Sequence, residues 1–180
     1  MTRRNMTIAA LLGSAFFGVL ALAGLAEHYG IIDDDDDDEG PALVKSIGDA
    51  KVSLQQGLTA SEQAGQPISG KFEVEDGKFR LSVYTTKDGK LSEVLVDHLT
   101  GAVSRTEPIT QDDDLAAAKA QVAAMARAKT SLKEAVDKAA GAAAGYRAVG
   151  VVPDLKDGHP VASVLLLKGD EFKTLNEALE

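Results

Sequence analysis

The sequence predicts an α+β protein built from two tandem units, each a helix followed by a three-stranded antiparallel meander. The first observation is internal similarity: residues 50–54 (AKVSL) recur 78 positions later as residues 128–132 (AKTSL). The second is a pair of hairpin signals, since Asp76-Gly77 recurs 81 positions later as Asp157-Gly158 between runs of alternating apolar residues. The growth of the offset from 78 to 81 indicates three extra residues in the second copy.

The N-terminal segment, residues 1–26, has the features of an export signal or a membrane anchor. Arg3 and Arg4 precede 22 uncharged residues rich in Ala, Leu, Phe and Gly. Small residues allow cleavage after Ala23 or after Ala26, whereas the length of the apolar run also suits an uncleaved anchor helix. Both interpretations place the rest of the chain outside the cytoplasm, as a periplasmic, secreted or membrane-associated envelope protein.

Residues 27–41 are predicted to form an acidic linker. Residues 33–39 are seven consecutive carboxylates, and Gly40-Pro41 is expected to break any continuing element. Adjacent like charges repel and extend the chain, which favours a solvated spacer. Weak capture of Ca²⁺ or another hard cation is the alternative, although the run lacks the interrupted ligand spacing of an EF-hand loop.

Each unit has a helix that opens at a capping box. Ser53 with Gln56, and Ser131 with Glu134, have the spacing at which side chain and backbone cap each other at a helix N-terminus. The first helix is expected to end at the Gly and Pro that follow it, and the second near residues 141–145. These helices belong to a first unit at residues 42–109 and a second unit at residues 110–180.

A further helix is predicted before the capping box of the second unit. Three aspartates that suit a helix N-terminus, residues 112–114, precede apolar residues at helical spacing: Leu115, Ala118, Val122 and Met125. The apolar pattern continues to Leu132 and Val136. One long helix and two separate helices are therefore both open interpretations of residues 113–144.

The strands of the first unit alternate in polarity. In the second strand, one set of side chains is apolar and should face the helix: Phe79, Leu81 and Val83. The alternate set should point away from the helix: Arg80, Ser82 and Tyr84. An outward arginine and tyrosine are typical of interface anchors. We therefore predict that Arg80, Ser82 and Tyr84 bind a protein partner.

The middle strand of the second unit is apolar on both faces. Residues 161–167 (VASVLLL) do not alternate, so both sides of this strand need cover. Either the two units pack together or the chain forms a homodimer.

The first unit resembles the PepSY domain family. Residues 51–103 contain a Ser-started helix, a strand, Asp-Gly, a strand with Tyr84 near its end, a second Asp-Gly, and a third strand that closes on V-D-x-x-T-G at residues 96–101. Residues 129–180 are similar but end in NEALE without the T-G. The resemblance implies an extracytoplasmic, non-catalytic module of the kind found in peptidase propeptides and bacterial envelope proteins, and proposed to restrain peptidases.

Several classes of function are disfavoured by composition. The absence of Cys excludes disulfides, thiolate metal sites and a cysteine nucleophile. A net charge of -9 argues against nucleic-acid binding. The three histidines, at positions 28, 98 and 159, do not have the i, i+4 spacing of a metalloprotease site. The neighbouring pair Asp97-His98 is typical of a turn. We predict no catalytic residues, no metal site and no cofactor.

The function predicted from the sequence is therefore protein binding. The chain is expected to modulate or inhibit an envelope or secreted peptidase, touching a membrane only through residues 1–26 if they are not cleaved. The alternative is a structural or cation-sensing envelope protein in which the acidic run is a weak cation-binding spacer.

Overall fold

The computed structural model describes residues 39–180, which fold into helices on both sides of one sheet. The predicted signal or anchor at residues 1–26 and the aspartates at 33–38 lie outside these residues. The helices are α1 (Glu39–Ser46), α2 (Leu54–Ser61), α3 (Asp112–Met125) and α4 (Leu132–Ala142), with a 3-10 helix at Ile47–Asp49. The strands are β1 (Gln66–Glu75), β2 (Lys78–Lys87), β3 (Lys90–Val96), β4 (Val103–Pro108), β5 (Arg147–Lys156), β6 (His159–Lys168) and β7 (Glu171–Ala178). None of these helices is long and apolar enough to span a membrane.

All seven strands belong to a single antiparallel sheet with the order β4-β3-β2-β1-β5-β6-β7. Its centre is the pairing of β1 with β5, where Gly70 lies opposite Val151 and Lys71 opposite Gly150. The α+β class is confirmed, but the predicted pair of three-stranded units is wrong in two respects. The first meander has a fourth strand, β4, and the two meanders share one sheet and one hydrophobic core.

The predicted turns and helix caps are confirmed. Both Asp-Gly turns have the positive φ angles that a two-residue hairpin requires. These angles are 50° at Asp76 and 70° at Gly77, and 54° at Asp157 and 82° at Gly158. Ser53 and Ser131 each form a complete capping box at the start of α2 and α4.

Residues 113–144 form two helices. α3 ends at Met125 and α4 begins at Leu132, because Ser131 has the extended backbone of an N-cap (φ −72°, ψ 157°), although the apolar pattern continues across it. Gly40-Pro41, predicted to break a continuing element, instead lies in the first turn of α1. Proline is tolerated there because the first backbone N–H groups of a helix have no intrahelical partner.

Helices cover the two faces of the sheet differently. On one face, α2 packs against Leu81 and the backbone of Gly70, and Gln55 of α2 donates a hydrogen bond to Asp137 of the neighbouring α4 at 3.2 Å. On the other face lies α3, whose Gln121 accepts from Ser69 at 2.8 Å. We call these the α2 face and the α3 face.

The apolar strand β6 is covered within the chain. Val164 and Leu166 are 0% exposed, and Leu165 and Leu167, on the opposite side of the strand, are 3% exposed. The two-sided cover predicted from the sequence is thus supplied by the fold, without requiring a second copy.

We expect Gly57→Ala to destabilise the protein by about 1–2 kcal/mol, although alanine favours helices. A Cβ at Gly57 would overlap the fully buried side chain of Leu81. Gly141→Ala in α4 is the matched control, because a Cβ there meets nothing within 4 Å; it should stabilise by up to ~1 kcal/mol. Urea denaturation of both variants measures the difference, and equal effects would contradict the close packing of α2.

Candidate functional site

The predicted binding residues lie together on β2, on the α3 face. Arg80, Ser82 and Tyr84 pair with Glu73, Lys71 and Ser69 of β1, on the side opposite Leu81 and Val83. The predicted alternation is therefore confirmed, but the expectation that this side faces solvent is wrong. Tyr84 is 4% exposed, Ser82 is 0% exposed, and the Arg80 side chain is 23% exposed. Asp114 of α3 hydrogen-bonds to Tyr84, whereas Ser82 and Arg80 are enclosed by carboxylates of β3 and β1; no local pattern in β2 could reveal either.

A network of charged side chains surrounds these residues. The Glu73 carboxylate, 4% exposed, contacts Lys71 Nζ at 2.6 Å and Arg80 Nε at 2.8 Å. Arg80 also pairs with Glu75, and its Nη2 lies 3.7 Å from Glu93 Oε1. Burial tends to lower the pKa of Arg80, but these carboxylates together raise it. The guanidinium therefore stays charged and joins three strands.

Polar residues of α3 and β3 complete the network. Asp114 of α3 hydrogen-bonds to Tyr84, and Ser82 donates to Glu93 at 2.5 Å. Burial raises the pKa of Glu93 and Asp114, and burial together with nearby carboxylates holds the pKa of Tyr84 well above its usual value. The carboxylates of this network outnumber its cations: Glu73, Glu75, Glu93 and Asp114 face Lys71 and Arg80.

Sequence reasoning missed the residues of α3 that cover this network. Asp114 and Gln121 are 8% and 3% exposed, although both are polar. They share a helical face with Ala118 and Met125, at spacings of three and four. Polar residues on the apolar side of an amphipathic helix were the available signal, since they indicate a polar surface opposite the helix.

The histidines of the described region occupy structural positions. His98 packs edge-on against Phe79, with ring centroids 4.8 Å apart, and His159 Nδ1 lies 2.5 Å from Glu180 Oε1. Asp97 closes its turn by accepting from Thr100 Oγ1 at 2.8 Å and from Thr100 N at 2.7 Å, and these hydrogen bonds lower its pKa. Between residues 39 and 180 no group of three or more His, Asp or Glu is placed to hold a metal ion.

An open cavity of about 420 Å³ lies where the two halves of the chain meet on the α2 face. Its lining includes Leu58 and Glu62 of α2, Gln66 of β1, and Met125, Ala128 and Thr130 of the α3–α4 connection (residues 125–131). The sequence could not reveal this cavity because its walls come from segments some 60 residues apart, which the β1–β5 pairing brings together.

The outer edge of β7 is a second feature that the sequence did not indicate. Among residues 39–180 no strand pairs with this edge, whereas β4 pairs with the outer edge of β3. Thr174 of β7 also has a buried hydroxyl without a hydrogen-bond partner in the described part of the chain.

Comparison of the chain with protein-family models, with curated proteins and with solved structures finds no match.

We expect Glu93→Gln to gain stability relative to the parent as the pH rises from about 4 to 7. Burial raises the pKa of Glu93, so the folded state binds its proton more tightly than the unfolded chain does. That contribution is complete below the unfolded pKa and disappears as the pH rises through the folded pKa. Urea denaturation at several pH values measures the difference between variant and parent.

Asp137→Asn is the matched control with the opposite sign. A hydrogen bond from Lys133 lowers the pKa of Asp137, so this carboxylate stabilises the fold above its unfolded pKa and less as the pH falls. The stability difference between this variant and the parent should therefore change in the opposite direction with pH. Parallel slopes for the two variants would contradict the buried state of Glu93.

We expect Thr174→Val to stabilise the protein by about 1 kcal/mol, because it removes a buried hydroxyl that lacks a partner while keeping the shape of the side chain. Thr85→Val is the control, since Thr85 is 1% exposed and its hydroxyl donates to Ser92 O at 3.4 Å. Thermal or urea unfolding separates the two. A loss of stability in both variants would show that the Thr174 hydroxyl is satisfied in solution.

Proposed function

We propose that the protein is a non-catalytic extracytoplasmic binding module that modulates an envelope or secreted peptidase. We further propose that it binds an extended segment of its partner along the outer edge of β7. The observation that carries this proposal is the outer edge of β7, with which no strand of residues 39–180 pairs, although β4 fills the corresponding edge of β3 in the first half. The resemblance of residues 51–103 to PepSY domains supports the choice of a peptidase as partner.

The two halves provide a template for the proposed strand. β3 pairs with β4 from Ser92 opposite Pro108 to Val96 opposite Val103. The hairpins of the two halves match at an offset of 81, so the corresponding stretch of β7 runs from Lys173 to Glu177. A partner segment would therefore add antiparallel to residues 173–177, with main-chain hydrogen bonds supplying affinity.

The opposite edge of the sheet is less suited to this role. β4 has six residues, its half-exposed Arg105 and Glu107 side chains pair with each other, and it ends at Pro108. Short length, charge and proline are the features by which proteins prevent strand addition at an edge. β7 has eight residues, and the Lys173 ammonium lies 5.9 Å from the ring centroid of Tyr146, the residue that precedes the inner strand β5.

The test fills the edge with the protein's own sequence. In this variant, a copy of residues 99–110 follows Leu179 of the full chain. Leu179 corresponds to His98, the residue that precedes this segment in the first half. The Leu179 carbonyl accepts from Thr130 N, as the His98 carbonyl accepts from Val52 N. We expect this capped variant to lose its effect on the peptidase that responds to the parent protein, while its thermal stability is equal or higher. Peptidase activity with each protein is the measurement.

A Gly-Ser tail of the same length is the control, since it adds mass without a preference for pairing. This control should act like the parent. If the capped variant modulates the peptidase as strongly as the parent does, binding by strand addition is refuted. If no envelope or secreted peptidase responds to the parent, the structural or cation-sensing alternative takes its place, and calcium-dependent stability of the full chain then tests it.

A further inference from the structure

The side chain of Arg147 occupies a defined cation site between the two halves. Its Nη1 donates to Ile47 O at 3.0 Å and to Ala50 O at 3.2 Å, and its Nη2 donates to Val52 O at 2.7 Å. The guanidinium carbon lies 5.2 Å from the ring centroid of Phe72. No described carboxylate forms an ion pair with it. The α1–α2 connection (residues 47–53) thus binds a guanidinium through carbonyl oxygens.

The α3–α4 connection repeats the hydrogen bonds of the α1–α2 connection. Ala50 N donates to Ile47 O at 3.3 Å, and Ala128 N donates to Met125 O at 3.2 Å. The next two N–H groups of each connection donate to one carbonyl, that of His98 in the first half and that of Leu179 in the second. A capping box follows in both. The carbonyls of Met125, Ala128 and Thr130 therefore correspond to those that hold Arg147.

The residue at the position that corresponds to Arg147 is uncharged. Arg147 is the first residue of β5, and its counterpart, the first residue of β1, is Gln66. Gln66, Met125, Ala128 and Thr130 all line the cavity of about 420 Å³. No residue of the described chain donates a hydrogen bond to the carbonyls of Ala128 or Thr130. A shorter, neutral side chain has left open the space that a guanidinium fills in the other half.

We propose that this cavity binds an arginine side chain presented by a protein partner. A guanidinium has five N–H donors in a planar fork. These donors match the carbonyls of the α3–α4 connection in the same way as the Arg147 guanidinium matches the carbonyls of the α1–α2 connection. Glu62, in the cavity wall, adds a carboxylate. The volume falls in the range of ligand pockets and exceeds what one guanidinium needs, so neighbouring atoms of the partner also fit.

Two lysines in the wall do not prevent this. Lys133 Nζ already binds Asp137 at 2.8 Å. Lys129 corresponds to Lys51, which stands between Ala50 and Val52 in the site that holds Arg147. The proposal does not depend on strand addition at β7, because no residue of β7 lines the cavity.

The first experiment compares two probes on the full chain. N-acetyl-arginine amide and its neutral isostere N-acetyl-citrulline amide are titrated while the amide NMR signals of residues 125–131 are followed. We expect saturable shifts with the arginine probe and at least tenfold weaker binding of the citrulline probe, because only the former is a cation with a full donor fork. Equal binding of the two probes, or shifts with neither, overturns the proposal.

Substitutions at Gln66 then locate the site. Gln66→Arg should place a tethered guanidinium in the cavity and abolish binding of the arginine probe, whereas Gln66→Glu should strengthen it severalfold. Circular dichroism verifies that both variants are folded, and the comparison of probes on the parent stands if either is not. Unchanged binding in folded Gln66→Arg refutes the location.

A third arm distinguishes the sources of the guanidinium. An extended peptide with a central arginine should bind at least tenfold more tightly than the single-residue probe if a protein segment is the ligand. Equal affinity would overturn the assignment to a protein partner and indicate a small guanidinium compound.

Discussion

The edge-to-edge pairing of β1 with β5 is the contact on which the rest of the structure depends. It is short, and two of the paired positions, 70 and 150, are glycines. At Gly70 a side chain would lie 3.2 Å from Leu58 Cδ2, so the absence of a Cβ lets α2 approach the sheet. Because the pairing is antiparallel and central, it sets α2 and α4 side by side, brings Arg147 to the α1–α2 connection, and shapes the cavity beside Gln66.

The features that the sequence predicted correctly are those determined by neighbouring residues. Asp-Gly turns, Ser-based caps and the alternation of β2 follow from local steric and hydrogen-bonding preferences, and all were found. β4 was not predicted because its residues, VSRTEP, are mostly exposed and lack an apolar set. It is a strand because β3 offers an edge to pair with. The cover over Tyr84 was missed for the related reason that α3 follows β2 by some 25 residues.

The buried charges beneath α3 show how a polar sheet face can be enclosed. Lys71 and Glu73 are 8% and 4% exposed, and isolation of either charge at such depth would cost several kcal/mol. Each therefore has an ionic partner, and Arg80 is shared among strands β1 and β3. The polar underside of α3 fits this surface, because Gln121 and Asp114 bind the hydroxyls of Ser69 and Tyr84, which an apolar helix would leave without partners. Specific docking of α3 is the result, because few other helix faces could satisfy these groups.

The position of Arg147 also has a consequence for the kinetics of folding. Its hydrogen bonds to the α1–α2 connection join residues 95 to 100 positions apart, and the β1–β5 ladder joins strands about 80 positions apart. Each hairpin can form early from local contacts, but these long-range contacts require closure of a large loop. Until the second meander has been synthesised and docked, the inner edge of β1 has no strand beside it. A nascent or truncated first half therefore presents an unpaired strand edge to other chains. Formation of the β1–β5 pairing is thus the folding step at which misassembly is most favoured.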